Sequence, residues 1–265
     1  MADPDLVAAG YDAVYAAYPH SPTLQRIWHE RAQGPDASAR LDQLSFVTVA
    51  ELRRLTDELA LPPGATLLDL GCGSGGPGLW IAGHAEARLL GVDISPVAVA
   101  QAAERAETLG LRGSATFSAA SLEQTALDDG IADAAVSIDV LQYVPDKLAA
   151  MRETARLLRP PGRITLTAFE LDPDGASSLP VFGIDPVADL RIPLKDAGFT
   201  IETYEETSGW RTRVTRTFEA VLAAHDQLAV ELGPIATQAL VSEADVALKT
   251  TAYRRRVLAT ARRNA

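Results

Sequence analysis

The run Leu67-Leu68-Asp69-Leu70-Gly71-Cys72-Gly73-Ser74-Gly75-Gly76-Pro77-Gly78 gathers the residue types most suited to holding a ligand. Glycines there remove side chains so that the backbone can pass close to a bound molecule, and free N–H groups at the start of a following helix point into the same space. Gly71, Gly73 and Gly76 satisfy the spacing G-x-G-x-x-G, and Asp93 follows where a carboxylate can hold ribose hydroxyls. Two ligand classes meet these demands: a nicotinamide dinucleotide, or a nucleoside carrying an amino acid in place of the pyrophosphate. A dinucleotide loop normally follows an apolar strand end. Here Asp69 puts a carboxylate beside the turn, where it can fix the loop and help to recognise an ammonium.

These residues need a strand before the turn and a helix after it. From Ala65 onward, short apolar runs alternate with helical stretches, the pattern of a parallel sheet with crossover helices. Strands are expected at 65–70, 88–93, 115–120, 133–139, 162–169 and 199–206, with a last one at 253–262. Helices are expected at Pro77–Gly83, Pro96–Leu109, Lys147–Arg159 and Pro186–Ala197, opened by proline or closed by glycine as capping requires. Before residue 60 the spacing is helical: Val7, Tyr11, Val14 and Tyr18 share a face, Ser21-Pro22 caps a second helix, and Leu52, Leu55 and Leu59 mark a third. After Trp210 a helical stripe of Phe218, Val221, Leu222, Leu228 and Leu232 runs to Gly233-Pro234, and a shorter helix follows to about Leu248.

The chain has 265 residues, with 35 Asp and Glu against 24 Lys and Arg, for a formal net charge of -11. An acidic balance repels a phosphate backbone, so nucleic acid is not an expected partner. Arg254, Arg255, Arg256, Arg262 and Arg263 flank an apolar run that reads as a strand with solvated ends rather than as a binding patch. The start, Met-Ala-Asp-Pro-Asp, has no basic-then-apolar segment, and the uncharged stretch from Leu70 to Gly83 is broken by glycines and too short to span a bilayer. A cytoplasmic protein with no membrane partner is expected. Cys72, the single cysteine, has no basic partner in the sequence and reads as a packing residue. Tyr143 and Lys147 have the Tyr-x-x-x-Lys spacing of short-chain dehydrogenases, but Pro145 between them argues against the continuous helix that pair needs.

At Asp69-Leu70-Gly71-Cys72-Gly73-Ser74-Gly75 and Gly91-Val92-Asp93-Ile94-Ser95 the sequence resembles the class I S-adenosylmethionine-dependent methyltransferases, in the small-molecule branch of quinone-biosynthesis and actinobacterial natural-product enzymes. The resemblance implies Asp93 on the ribose and Ile94 against the adenine. A third motif, usually acidic, is replaced by Ala120-Ser121-Leu122, where Ser121 can bond the adenine amine and Leu122 lies beside it. The segment from Ser137 to Asp146 corresponds to the one lying across the methionine moiety, which implicates Asp139, Gln142 and Tyr143. No Asn-Pro-Pro-Tyr stands there, so methylation of DNA bases is disfavoured.

The resemblance further implies a doubly wound, Rossmann-like sheet of seven strands with the last antiparallel. Residues 1–64 are expected as a helical lid, 65–207 and 251–265 as the core, and 208–250 as a helical cap. It implies S-adenosyl-L-methionine as the cofactor and methyl transfer to O, N or C of a small acceptor as the reaction. An NAD(P)-dependent oxidoreductase and a non-methylating member such as a cyclase remain the alternatives. Cofactor contacts fall to Asp69, Gly71, Cys72, Gly73, Asp93, Ile94, Ser121, Leu122, Asp139, Gln142 and Tyr11. Candidate catalytic side chains are Tyr143, Tyr15, His20 and His29, while His84 and His225 read as structural or exposed. No metal is expected, and the oligomeric state, a homodimer included, is left open.

Overall fold

The computed structural model describes residues 4–33, 41–172 and 187–265. Seven strands form one sheet: β1 (Thr66–Leu70), β2 (Arg88–Asp93), β3 (Ala115–Ala119), β4 (Ala132–Ile138), β5 (Leu158–Leu171), β6 (Phe199–Glu206) and β7 (Arg254–Arg263), in the order β3-β2-β1-β4-β5-β7-β6. β7 runs antiparallel to both its neighbours and the rest are parallel. All five residues of β1 are buried, which is why it reads as an unbroken apolar run apart from Asp69.

Nine α-helices occur among the described residues: α1 (Pro4–Ala17), α2 (Pro22–Ile27), α3 (Val49–Leu59), α4 (Gly76–His84), α5 (Pro96–Thr108), α6 (Lys147–Leu157), α7 (Arg191–Asp196), α8 (Trp210–Ala223) and α9 (His225–Thr250). Ser21 caps α2 through its Oγ, with Pro22 at the first helical position, and Thr48 and Glu51 form a reciprocal capping box on α3. No helix among the described residues is long and apolar enough to cross a membrane.

Three departures from the expected elements have local causes. Helix α6 ends at Leu157 rather than Arg159 because Leu158 already pairs with Ala132, which starts β5 before the Pro160-Pro161-Gly162 stop. The helix expected over Pro186–Ala197 is the shorter α7; Pro186 lies outside the described residues, as does the side chain of Val7. The cap turns at Ala224, dividing the expected stripe between α8 and α9, while Gly233, at φ 76°, breaks α9 internally before Pro234. Leu222 is consequently left partly exposed.

Two apolar clusters cover the faces of the sheet, and a third joins α1, α2, α8 and α9 above its carboxyl edge. This third cluster is aromatic at its centre, with Phe46 edge-on to Phe169 and Phe218, and Trp28 edge-on to Phe218. Helices α1 and α9 come close where a Cβ on Gly10 would touch Ala239 at 3.4 Å.

Candidate active site

The glycine turn follows β1 directly. Gly71 and Cys72 both donate their N–H to Val92 O, at 2.7 and 3.0 Å, which ties the turn to β2. Gly73 has φ 50° and packs under Tyr15, whose Oη would lie 2.5 Å from an added Cβ. Only glycine allows that approach. The Asp93 carboxylate accepts Gly73 N at 2.8 Å and Ser95 N at 2.9 Å, so the end of β2 holds the turn and faces the cavity that lies over it.

Asp69 points from β1 under the same turn and is 2% exposed. Its Oδ2 has no hydrogen-bond partner among the described residues, and a Cβ on Gly78 would meet that oxygen at 2.1 Å. Burial, with the neighbouring Asp93 charge, pushes its carboxyl up to about 7. A buried carboxylate oxygen left without a donor is costly, and a cationic ligand group would complete it. The Cys72 thiol is buried beside it and pushed up by burial and by Asp69 and Asp93, as suits a packing residue.

The cavity runs from this turn to the cap. Ile94, 48% exposed, lines its mouth together with Ser121 and Leu122. The Ser121 hydroxyl donates to Glu123, which also lines the cavity. Glu123 therefore brings an acidic group within two residues of the position where the third motif lacks one.

Asp139 and Gln142 line the cavity, and their polar ends are bonded within the protein. Asp139, at φ 56°, is gripped by Arg256 and accepts Phe46 N at 2.8 Å; Gln142 donates to Asp139 O at 2.6 Å. Asp139 thereby holds the segment carrying Phe46 over the cavity, and Gln142 braces Asp139.

Tyr11, Tyr15 and Tyr143 reach the cavity together. Tyr11 packs edge-on against Tyr143 at 5.4 Å, and Tyr143 Oη donates to Glu243 Oε1 at 2.7 Å. Tyr143 ends a short turn after β4 and Lys147 opens α6, so the two do not share a helix and the dehydrogenase pair is absent.

His20 and His29, the imidazoles expected as candidate bases, are not among the residues lining the cavity. His20 is exposed at the reversal between α1 and α2, and in the turn after α2 it is Trp28 rather than His29 that faces inward. The cap enters through Ala239, Leu240 and Glu243 on α9, whereas Trp210 and Phe218 of α8 stand behind Phe169 and Phe46. Glu243 escaped the sequence reading, although its signal was present: it interrupts the apolar stripe Ala236, Leu240, Ala247 at helical spacing.

A family model described as a methyltransferase domain matches residues 68–166. The chain is 31% identical over 177 residues to 27-O-demethylrifamycin SV methyltransferase of Amycolatopsis mediterranei, covering 64% of this chain and 60% of that protein. It is 31% identical over 132 residues to methyltransferase GfsG of Streptomyces halstedii, covering 50% of this chain and 47% of that protein. The chain thus spans about half of the length of these curated relatives. Among solved structures, that of the cyclase SpnF superposes with a TM-score of 0.70 at 27% identity, over 82% of this chain and 81% of that one. The glycine turn, Asp69 and Asp93 all lie inside the segment that matches the methyltransferase domain, and the seven-stranded sheet is built around it.

Proposed function

We propose that this protein binds S-adenosyl-L-methionine over the glycine turn and directs methyl transfer to a small organic acceptor held beneath the cap. The observation that carries the reading is Asp69: a buried carboxylate with an unpartnered oxygen, beside a turn bared of side chains and one strand from Asp93. That donor set suits a ligand with an ammonium at one end and ribose hydroxyls in the middle. It suits a pyrophosphate poorly, since two carboxylates face the turn. When bound, S-adenosylmethionine supplies a methyl group already activated on a sulfonium, so the chain's own task is alignment and exclusion of water.

Tyr11 and Tyr15 stand between the turn and the cap and close one side of the cavity. Asp139 and Arg256 fix the segment carrying Phe46, and Phe46, Phe169 and Trp28 give the roof apolar walls. The lid and cap segments act as that roof. A walled, largely apolar chamber favours a small acceptor over a macromolecule.

Calorimetry with S-adenosylhomocysteine and NAD in parallel tests the reading. Saturable heat with the first and none with the second is expected; the reverse overturns it. A second reading has one observation in its favour, the likeness to a cyclase: the chain could bind the cofactor without moving its methyl. Labelled S-adenosylmethionine incubated with an acceptor panel separates the two, because only methyl transfer carries label into the product.

A further inference from the structure

Among the described residues Glu243 is the one ionisable group that the cap brings to the cavity, and cofactor binding gives it no work. It lines the cavity from α9, as do Tyr11, Val14, Phe169 and Leu240. Its Oε1 accepts the Tyr143 hydroxyl, and no hydrogen bond to Oε2 forms among the described residues. A carboxylate fixed by one oxygen and free at the other, in the wall of a largely apolar chamber, is placed to accept a proton from what the chamber holds.

The charge of the chamber restricts that occupant. Among the described residues no Lys, Arg or His lines the cavity, whereas Asp69, Asp93, Glu123 and Glu243 do. An anionic acceptor would be desolvated against carboxylates with no cationic side chain in the cavity lining. A neutral molecule with a hydroxyl group finds both an apolar wall and an acceptor for its O–H.

Resting on the methyl-transfer reading above, we propose that Glu243 is the base that takes the proton from a neutral hydroxyl group of the acceptor, and that Tyr143 is the positioning residue that holds its carboxylate. The acceptor oxygen uses a lone pair to form a new O–C bond while the C–S bond breaks and its electron pair stays on sulfur. The O–H proton passes to Glu243 Oε2. The positive charge of the sulfonium and the negative charge of the carboxylate disappear together, so the chamber gains no net charge. Burial raises the Glu243 carboxyl above its usual range, partly offset by the Tyr143 hydrogen bond and by Arg254, and this makes it a stronger base than a solvated glutamate. Among the described residues the titratable groups that interact with it are Tyr11 and Tyr15 of α1, Tyr143 after β4 and Arg254 of β7.

The test uses 2-naphthol, a neutral hydroxyl compound that becomes a strong acid when excited and whose neutral and ionised forms emit at different wavelengths. Bound to the wild-type protein it should emit as naphtholate. Glu243→Gln, which keeps a partner for Tyr143, should bind 2-naphthol with similar affinity and lose the naphtholate emission. Tyr143→Phe should weaken that emission without abolishing it. Naphtholate emission unchanged in Glu243→Gln overturns the proposal, as does failure of 2-naphthol to saturate the wild-type protein, or preference for 2-naphthoate over it. Circular dichroism of each variant guards against misfolding. Because the readout needs no cofactor, its failure is distinct from a failure of S-adenosylhomocysteine to bind, which would instead sink the methyl-transfer reading.

Discussion

Arg256 holds Asp139 with two arms of its guanidinium, Nε lying 2.8 Å from Oδ1 and Nη2 3.1 Å from Oδ2, while Phe46 N reaches the same carboxylate at 2.8 Å. Arg256 Nη1 also donates to Glu51 at 2.9 Å, and Arg213 of α8 approaches Glu51 at 3.3 Å. One strand, one turn, one loop and two helices are thus joined through charges taken out of water. Removing one member leaves an opposite charge buried and unpaired, which costs more than the intact pair is worth.

Asp139→Asn should therefore destabilise the protein by about 3 kcal/mol or more. Urea unfolding measures it, and the change should appear in the midpoint rather than in the slope. A midpoint equal to the wild type would mean that the network carries no stability.

The second prediction concerns pH. The Asp69 carboxyl lies at about 7 in the folded chain against 3.8 as its ordinary value, so between these values the folded state holds a proton that the unfolded chain has released. The ligand-free protein should lose stability as pH rises through that window. Pairing with an ammonium needs the ionised form, so S-adenosylhomocysteine should bind more tightly as pH rises toward 7, by up to about tenfold per pH unit, with release of a proton. Calorimetry in buffers of different ionisation heat reads that proton directly. Asp69→Asn should bind weakly and without the slope; a slope retained in this variant would assign the proton elsewhere, Asp93 being the neighbouring candidate.

Asp93→Ala should remove charge-assisted hydrogen bonds to ribose, each worth about 1.5 to 3 kcal/mol before water compensates. Affinity should drop by about tenfold or more. The variant also frees Gly73 N, so its folding is checked by thermal melting. An unchanged dissociation constant in a folded variant removes Asp93 from the site.

Gly73→Ala should place a Cβ 2.5 Å from Tyr15 Oη and 3.3 Å from Tyr15 Cζ. Binding of S-adenosylhomocysteine should weaken, and a second change, Tyr15→Phe, should restore part of it by removing the clashing oxygen. Recovery cannot be complete, because alanine at φ 50° remains strained. If the double variant binds no better than Gly73→Ala alone, the contact between turn and lid does not govern the site.

The strands were legible where both faces of the sheet are covered, as in β1, because burial on two sides leaves an apolar run between turn residues. The glycine turn and Asp93 were legible because adjoining strand ends place them side by side. Other parts of the site lack a local signature. Phe46 is held by an aspartate 93 residues away, and nothing beside it in the chain announces that bond. Glu243 meets Tyr143 across 100 residues. His20 and His29 were attractive as imidazoles in the helical preface expected over the pocket, whereas the reversal between α1 and α2 and the turn after α2 leave them off the cavity wall.

The position of β7 in the sheet bears on how the molecule is made. β7 lies between β5 and β6 although it follows both in the chain. During synthesis β5 emerges with one edge unclaimed and β6 with no neighbour at all, and both wait while the cap is translated. An unpaired edge is a template for pairing with other chains. The same stretch of translation also delivers α9, so the wall that carries Glu243 and the strand that closes the sheet arrive in quick succession. A nascent chain halted before residue 254 should have neither a closed sheet nor protection of β6 from association.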